Sequence, residues 1–171
     1  MPPAPCAVNA ATAGVPTRIE TVCRWHQPTP HRPAPVGQPA DRCVDRATHC
    51  IVGFGVMWER TWEALQQIVD DASPAQRYFS DGFSTYAQLL YSGTHAVTPG
   101  KSETYSVEGD NAELRHYLAR LGRRSRCFSR CLWALSRAVA LFVYAWNRRQ
   151  TFKRAHPKLP AHVCNFVADL I

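Results

Sequence analysis

From Cys43 onward the chain alternates short apolar runs with stretches of helical spacing, whereas the preceding residues follow neither rhythm. Ile51 to Met57 (IVGFGVM) is a short apolar run with β-branched residues, which predicts a strand. Thr61 to Asp71 carries Trp62, Leu65, Ile68 and Val69 at the spacing of one helix face, and Ser73-Pro74 ends it. Gln76 to Asp81 predicts a second strand, with Asp81-Gly82 turning the chain at its end. Phe83 to Tyr91 places Phe83, Tyr86, Leu89 and Leu90 on one side of a short helix. Thr94 to Val97 predicts a further strand before Pro99-Gly100 opens a polar loop. Val107 to Gly122 has the clearest helical period, with Leu114, Tyr117, Leu118 and Leu121 as its stripe. Ser106 is placed as its N-cap, and Glu108, Asp110 and Glu113 fall in the first turns, where the helix dipole favours acids. A final helix, about Leu132 to Gln150, turns Leu135, Val139, Phe142, Val143 and Trp146 inward. Strands alternating with helices in this way make an α/β fold the expectation.

Met1 to Arg42 differs in kind. It holds nine of the thirteen prolines, and Gln27 to Ala40 alone holds five, which excludes a helix or a central strand there. The expected organisation is a disordered Pro/Ala-rich segment over residues 1–42, followed by one α/β domain over 43–171. Such a start is also what a GC-rich gene gives when read in a wrong frame.

Charge adds a direction. The chain carries a net charge of +7, and Leu114 to Ala168 contains twelve Lys and Arg with no Asp or Glu. This block points to a polyanion, either nucleic acid or an anionic membrane surface, against the plainer reading of a solvated basic face. Arg148, Arg149, Lys153 and Arg154 cluster at the end of the final helix. The seven cysteines are odd in number and contain no CxxC, and the first residues carry no signal-peptide pattern. Reduced thiols in a cytoplasmic protein are therefore expected. The longest apolar stretch, Leu132 to Trp146, is interrupted by Ser136 and Arg137 and falls short of the roughly 20 residues a membrane span needs. No membrane partner is expected.

Two acids stand out by position. Asp81 ends a strand, and open α/β sheets place their ligands outside the carboxyl ends of strands. Glu108 opens the clearest helix, from which a second carboxylate could join Asp81 in holding hard divalent cations. The plain alternatives are an Asp-Gly turn and an acid serving only the helix dipole. Patterns alone leave both readings open. The aromatics Trp133, Phe142, Tyr144 and Trp146 are expected in the core, and the histidines, His49 and His95 among them, show no ligand spacing.

Residues from about Val44 to Val167 resemble the transposases of small bacterial insertion sequences of the IS1 type. Tyr78-Phe79-Ser80-Asp81-Gly82-Phe83 resembles the strand that bears that family's second catalytic Asp. Val107-Glu108-Gly109-Asp110-Asn111, with Leu114-Arg115, resembles its catalytic Glu motif. Leu118-Ala119-Arg120-Leu121-Gly122-Arg123-Arg124-Ser125, continuing to Phe128-Ser129, is the most specific match, and Val44 to Thr48 resembles the hairpin leading into the second and third strands. The resemblance implies an RNase H-like core with a DDE carboxylate triad. It implies Asp81 and Glu108 as catalytic ligands of Mg²⁺ or Mn²⁺, with Asn111 and Arg115 in support. DNA becomes the expected partner, contacted by Lys101, Arg120, Arg123, Arg124, Arg126 and Arg130, with homo-oligomerisation and a nucleoid-associated place in a bacterial cytoplasm also implied. Phosphate contacts of this kind position DNA without reading its sequence.

One departure stands against the resemblance. The family's first catalytic Asp lies on the first strand, roughly twenty residues before the Val-Asp-Arg hairpin, and Thr21 to Pro30 contains no Asp. Asp45 belongs to the hairpin, Asp41 is too close to it, and Glu20 sits in a segment without strand character. A shifted or rearranged reading frame before about residue 43 is the expectation. A missing first strand would remove the centre of the sheet and expose its edges, so poor solubility and no strand transfer are expected. The competing expectation is a non-catalytic DNA-binding remnant that interferes with an intact relative.

Overall fold

The computed structural model describes residues 19–21, 40–97, 112–118 and 131–167. Five strands, β1 (Ile19–Thr21), β2 (Ala40–Asp45), β3 (Ile51–Val56), β4 (Arg77–Ser80) and β5 (Thr94–Val97), form one sheet in the order β3-β2-β1-β4-β5. β1 runs antiparallel to β2 and parallel to β4, β4 is parallel to β5, and β2 is antiparallel to β3. Four strands therefore share one direction and β2 opposes them. The α/β expectation holds for the described residues.

The helices lie on the two faces. α1 (Trp62–Asp71) packs on β2 and β3 through Leu65, Ile68 and Val69, with Thr61 Oγ1 accepting the Ala64 N–H as its cap. Residues 112–117 (α2) and α3 (Leu132–Ala155) share the other cluster. Because side chains alternate along a strand, Cys43 joins the α1 cluster with Tyr78 and Met57. Its neighbour Val44 joins Leu135, Phe142 and Trp146 beneath α3. α1 approaches so closely that a Cβ at Gly53 would stand 2.7 Å from the Ile68 carbonyl oxygen and 2.9 Å from Ala72 Cβ.

Three expectations are corrected. Glu20 does not lie in a segment without strand character: Ile19, Glu20 and Thr21 form β1, the central strand, with Glu20 registered opposite Val44 and Phe79. Three residues are too few to show a period, and pairing with β2 and β4 on either side supplies what propensity does not. β2 itself crosses residues 42 and 43, where the sequence suggested a boundary. Second, the helix expected over Phe83 to Tyr91 is a 3₁₀ turn, Ser84–Gln88. Its period of three aligns Phe83, Tyr86 and Leu89 on the core and leaves Leu90 77% exposed. Third, Trp133 is 61% exposed at the start of α3, where the Arg137 guanidinium stacks 4.6 Å from its ring centroid, one helical turn on. Phe142 and Trp146 are buried as expected, and Tyr144 is half-buried. No helix among the described residues is long and apolar enough to cross a membrane.

Candidate active site at the carboxyl end of strand β4

Asp81 follows the last residue of β4, flanked by the parallel strands β1 and β5. The half-buried side chain bends back on the chain: Oδ1 accepts the Phe83 N–H at 3.1 Å, closing an Asx turn across Gly82. Its backbone is held as well. The fully buried Ser80 hydroxyl lies 3.1 Å from the Asp81 carbonyl oxygen and 2.8 Å from His95 Nε2 on β5. The His95 ring stacks on Tyr91 with centroids 4.3 Å apart, and burial lowers its pKa below the ordinary value, so the neutral imidazole is favoured.

A second group approaches from the loop between β3 and α1. The Arg60 guanidinium lies 5.2 Å from the centroid of the Phe83 ring and forms a 2.6 Å ion pair with Asp41 of β2. Asp41 is 1% exposed, and its Oδ2 has no hydrogen-bond partner among the described residues. Asp41 thus has a structural partner in place, and Arg60 couples β2 to the turn that carries Asp81.

Asp45, the other acid near the hairpin, is consumed by local structure. It accepts hydrogen bonds from the Ala47 N–H and the Thr48 hydroxyl, fixing the turn between β2 and β3. Glu20 stands on β1 beside β4, in register with Phe79, two residues before Asp81.

Of the residues expected at the site, Asp81 and Arg115 are described, and Arg115 is half-buried on α2. Glu108, Asn111, Lys101, Arg120, Arg123, Arg124, Arg126 and Arg130 lie outside the described residues, as does the expected Ser106 cap. Among the described residues no three His, Cys, Asp or Glu side chains gather to hold a metal ion. The Asp81 carboxylate is nevertheless a hard oxygen donor of the type that Mg²⁺ and Mn²⁺ take. Arg149, from the basic end of α3, is engaged within the fold: it pairs with Glu113 of α2 at 3.1 Å and donates to the Ala161 carbonyl at 2.8 Å. Lys153 and Arg154 are exposed.

Sequence reasoning passed over Arg60 and Ser80, and it set His95 aside as a surface or satisfied residue. The available signal was positional, since Ser80 precedes Asp81 and His95 sits inside a predicted strand. The pairing of β4 with β5 that brings them together is not a local property.

The family model for IS1 transposase matches residues 42–150. InsB of insertion element IS1 copy 2 from Escherichia coli (strain K12) is 34% identical over 88 residues, covering 50% of this chain and 51% of that protein. InsB of insertion element IS1 from Shigella flexneri is 33% identical over 88 residues, 50% of this chain and 65% of its own length. The Shigella sonnei protein is 35% identical over 77 residues, 44% of this chain and 57% of its length. The chain spans about half the length of the curated relatives it matches.

Proposed function

The chain belongs to the IS1 transposase family, and from that premise we propose that it is a DDE-type polynucleotidyl transferase acting on DNA phosphodiesters, with Asp81 and Glu108 as metal-binding carboxylates. The observation that carries this reading is the place of Asp81. It stands at the carboxyl end of β4, next to a central parallel strand, with its carboxylate and backbone both restrained. A central β1 within a five-stranded mixed sheet supports the RNase H-like assignment, which requires the first strand at the sheet's centre.

Glu20 takes the place of the missing first Asp in this proposal, because it is the acid on β1. Asp45 is committed to the hairpin turn and Asp41 to Arg60. Two divalent cations held by such carboxylates supply nucleophile activation and charge neutralisation in phosphoryl transfer. Asp81 presents its carboxylate from a turn closed by the Phe83 N–H. The basic residues from Arg115 to Arg130 hold DNA phosphates, and binding falls steeply with salt. Self-association and a place in the bacterial cytoplasm complete the proposal.

The test is nicking and strand transfer on plasmid DNA by the purified chain in Mg²⁺ or Mn²⁺, with Asp81→Ala and Glu20→Gln alongside. The proposal expects metal-dependent cleavage that both substitutions abolish while DNA retention on a filter is unchanged. Salt-sensitive DNA binding without cleavage in either metal overturns it in favour of a non-catalytic DNA-binding remnant. That second reading is favoured by the absence of an Asp between Thr21 and Pro30.

A further inference from the structure

We infer that His95 is a positioning residue for Asp81, acting through the Ser80 hydroxyl to fix the backbone from which the carboxylate projects. The role in catalysis rests on the reading of Asp81 as a metal ligand, whereas the positioning itself does not.

The geometry orders the protons. Ser80 Oγ carries one hydrogen and has two polar neighbours, the Asp81 carbonyl oxygen at 3.1 Å and His95 Nε2 at 2.8 Å. A carbonyl only accepts, so the hydroxyl hydrogen goes to Asp81, and His95 must donate from Nε2. The chain of donation runs from the imidazole to the serine to the peptide between Asp81 and Gly82. Burial lowers the His95 pKa and favours the neutral ring, whose Nε2–H tautomer makes this donation.

The ring has little freedom to leave. It stacks on Tyr91, and Tyr91 lies 4.8 Å from the Tyr78 ring and donates to the Tyr86 carbonyl at 3.0 Å. Tyr78 is locked in turn, accepting the Ala75 N–H at 3.0 Å and bonding Ser92 at 2.7 Å. Beyond Asp81 the chain turns through Gly82, where a Cβ would meet nothing within 4 Å, to Phe83, which packs against the core. Hydrogen bonds thus restrain Asp81 on both sides, at its carbonyl through Ser80 and at its carboxylate through the Phe83 N–H. Partners that orient a metal ligand in this way typically change metal affinity or activity by roughly 10–100-fold when removed.

The experiment uses the full chain with His95→Phe, which keeps a ring against Tyr91 but no donor, His95→Gln, which restores a donor, and Ser80→Ala. Two readouts are taken: the Gly82 and Phe83 amide resonances in metal-free protein, and Mn²⁺ affinity from the electron paramagnetic resonance of free Mn²⁺. Expected are shifted amides and Mn²⁺ affinity weakened about tenfold or more in His95→Phe, substantial recovery in His95→Gln, and no added effect of His95→Phe in Ser80→Ala. Unmoved amides and affinity in His95→Phe overturn the inference, as do equal losses in the Phe and Gln variants. An Asp81→Asn control separates the two claims. If that change leaves Mn²⁺ binding intact, the metal reading fails, and the metal-free amide shifts alone decide whether His95 positions Asp81. Should His95→Phe not fold, Ser80→Ala with the same amide readout decides.

Discussion

Asn147 of α3 satisfies both main-chain polar groups of Ile51: its Oδ1 accepts the Ile51 N–H at 2.8 Å and its Nδ2 donates to the Ile51 carbonyl at 2.8 Å. β3 is an edge strand, and Ile51 at its start would otherwise present an unpaired amide to solvent or to another chain. The carboxamide completes the edge as a neighbouring strand would. One residue earlier, Trp146 Nε1 donates to the His49 carbonyl at 2.8 Å, so α3 fastens the same hairpin twice.

Replacing Asn147 by Leu is expected to leave the Ile51 N–H and carbonyl unpaired beneath α3 and to cost about 2–4 kcal/mol. Urea unfolding measures the loss, and hydrogen exchange at the Ile51 amide should accelerate before that of β4. An unchanged midpoint would show that water replaces the carboxamide without penalty.

Gly53→Ala is expected to destabilise by about 1–3 kcal/mol, because the added methyl meets the Ile68 carbonyl and Ala72. One obstacle is the α1 backbone and the other the residue that caps its C-terminus, so the helix must move as a unit. A thermal unfolding midpoint equal to that of the parent chain would exclude the close approach.

Arg60→Met removes the partner of a carboxylate that is 1% exposed. Breaking a buried pair from one side costs about 3–5 kcal/mol, and replacing both partners costs much less. The double variant Arg60→Met, Asp41→Leu should therefore be more stable than Arg60→Met alone in denaturant titration. Additive losses would show that the two charges do not interact.

Two groups give stability a pH dependence with opposite edges. His95 has a folded pKa below its ordinary 6.5, so the unfolded chain binds more protons and stability falls as pH drops below about 6.5. Cys50 has a folded pKa raised above 9.0 by burial, and the neighbouring Asp45 charge adds to this against the Thr48 hydrogen bond. The unfolded thiol then ionises first, and stability falls as pH rises past 9.0. Urea midpoints across pH should show both slopes, and His95→Phe and Cys50→Ala should each flatten its own.

Elements whose pattern is local were legible in the order of residues alone. β5 is found at Thr94–Val97, where it was read, and β3 and α1 differ by a residue at one end. The helical period of Leu135, Val139, Phe142 and Trp146 likewise foretold the buried face of α3. The family resemblance also rested on consecutive residues, which is why Asp81 could be singled out before any fold was known. Tertiary structure decided what no local pattern encodes. Ile19, Glu20 and Thr21 become the central strand because β2 and β4 offer unpaired backbone on both sides. Trp133 is outside because its part of α3 is met by Arg137 rather than by the core. His95 reaches Ser80, and Arg60 reaches Asp41 and Phe83, only because strand order brings together residues 15 to 23 positions apart. Periodicity reports which face a residue prefers; the pairing of strands decides which residues from other segments share that face.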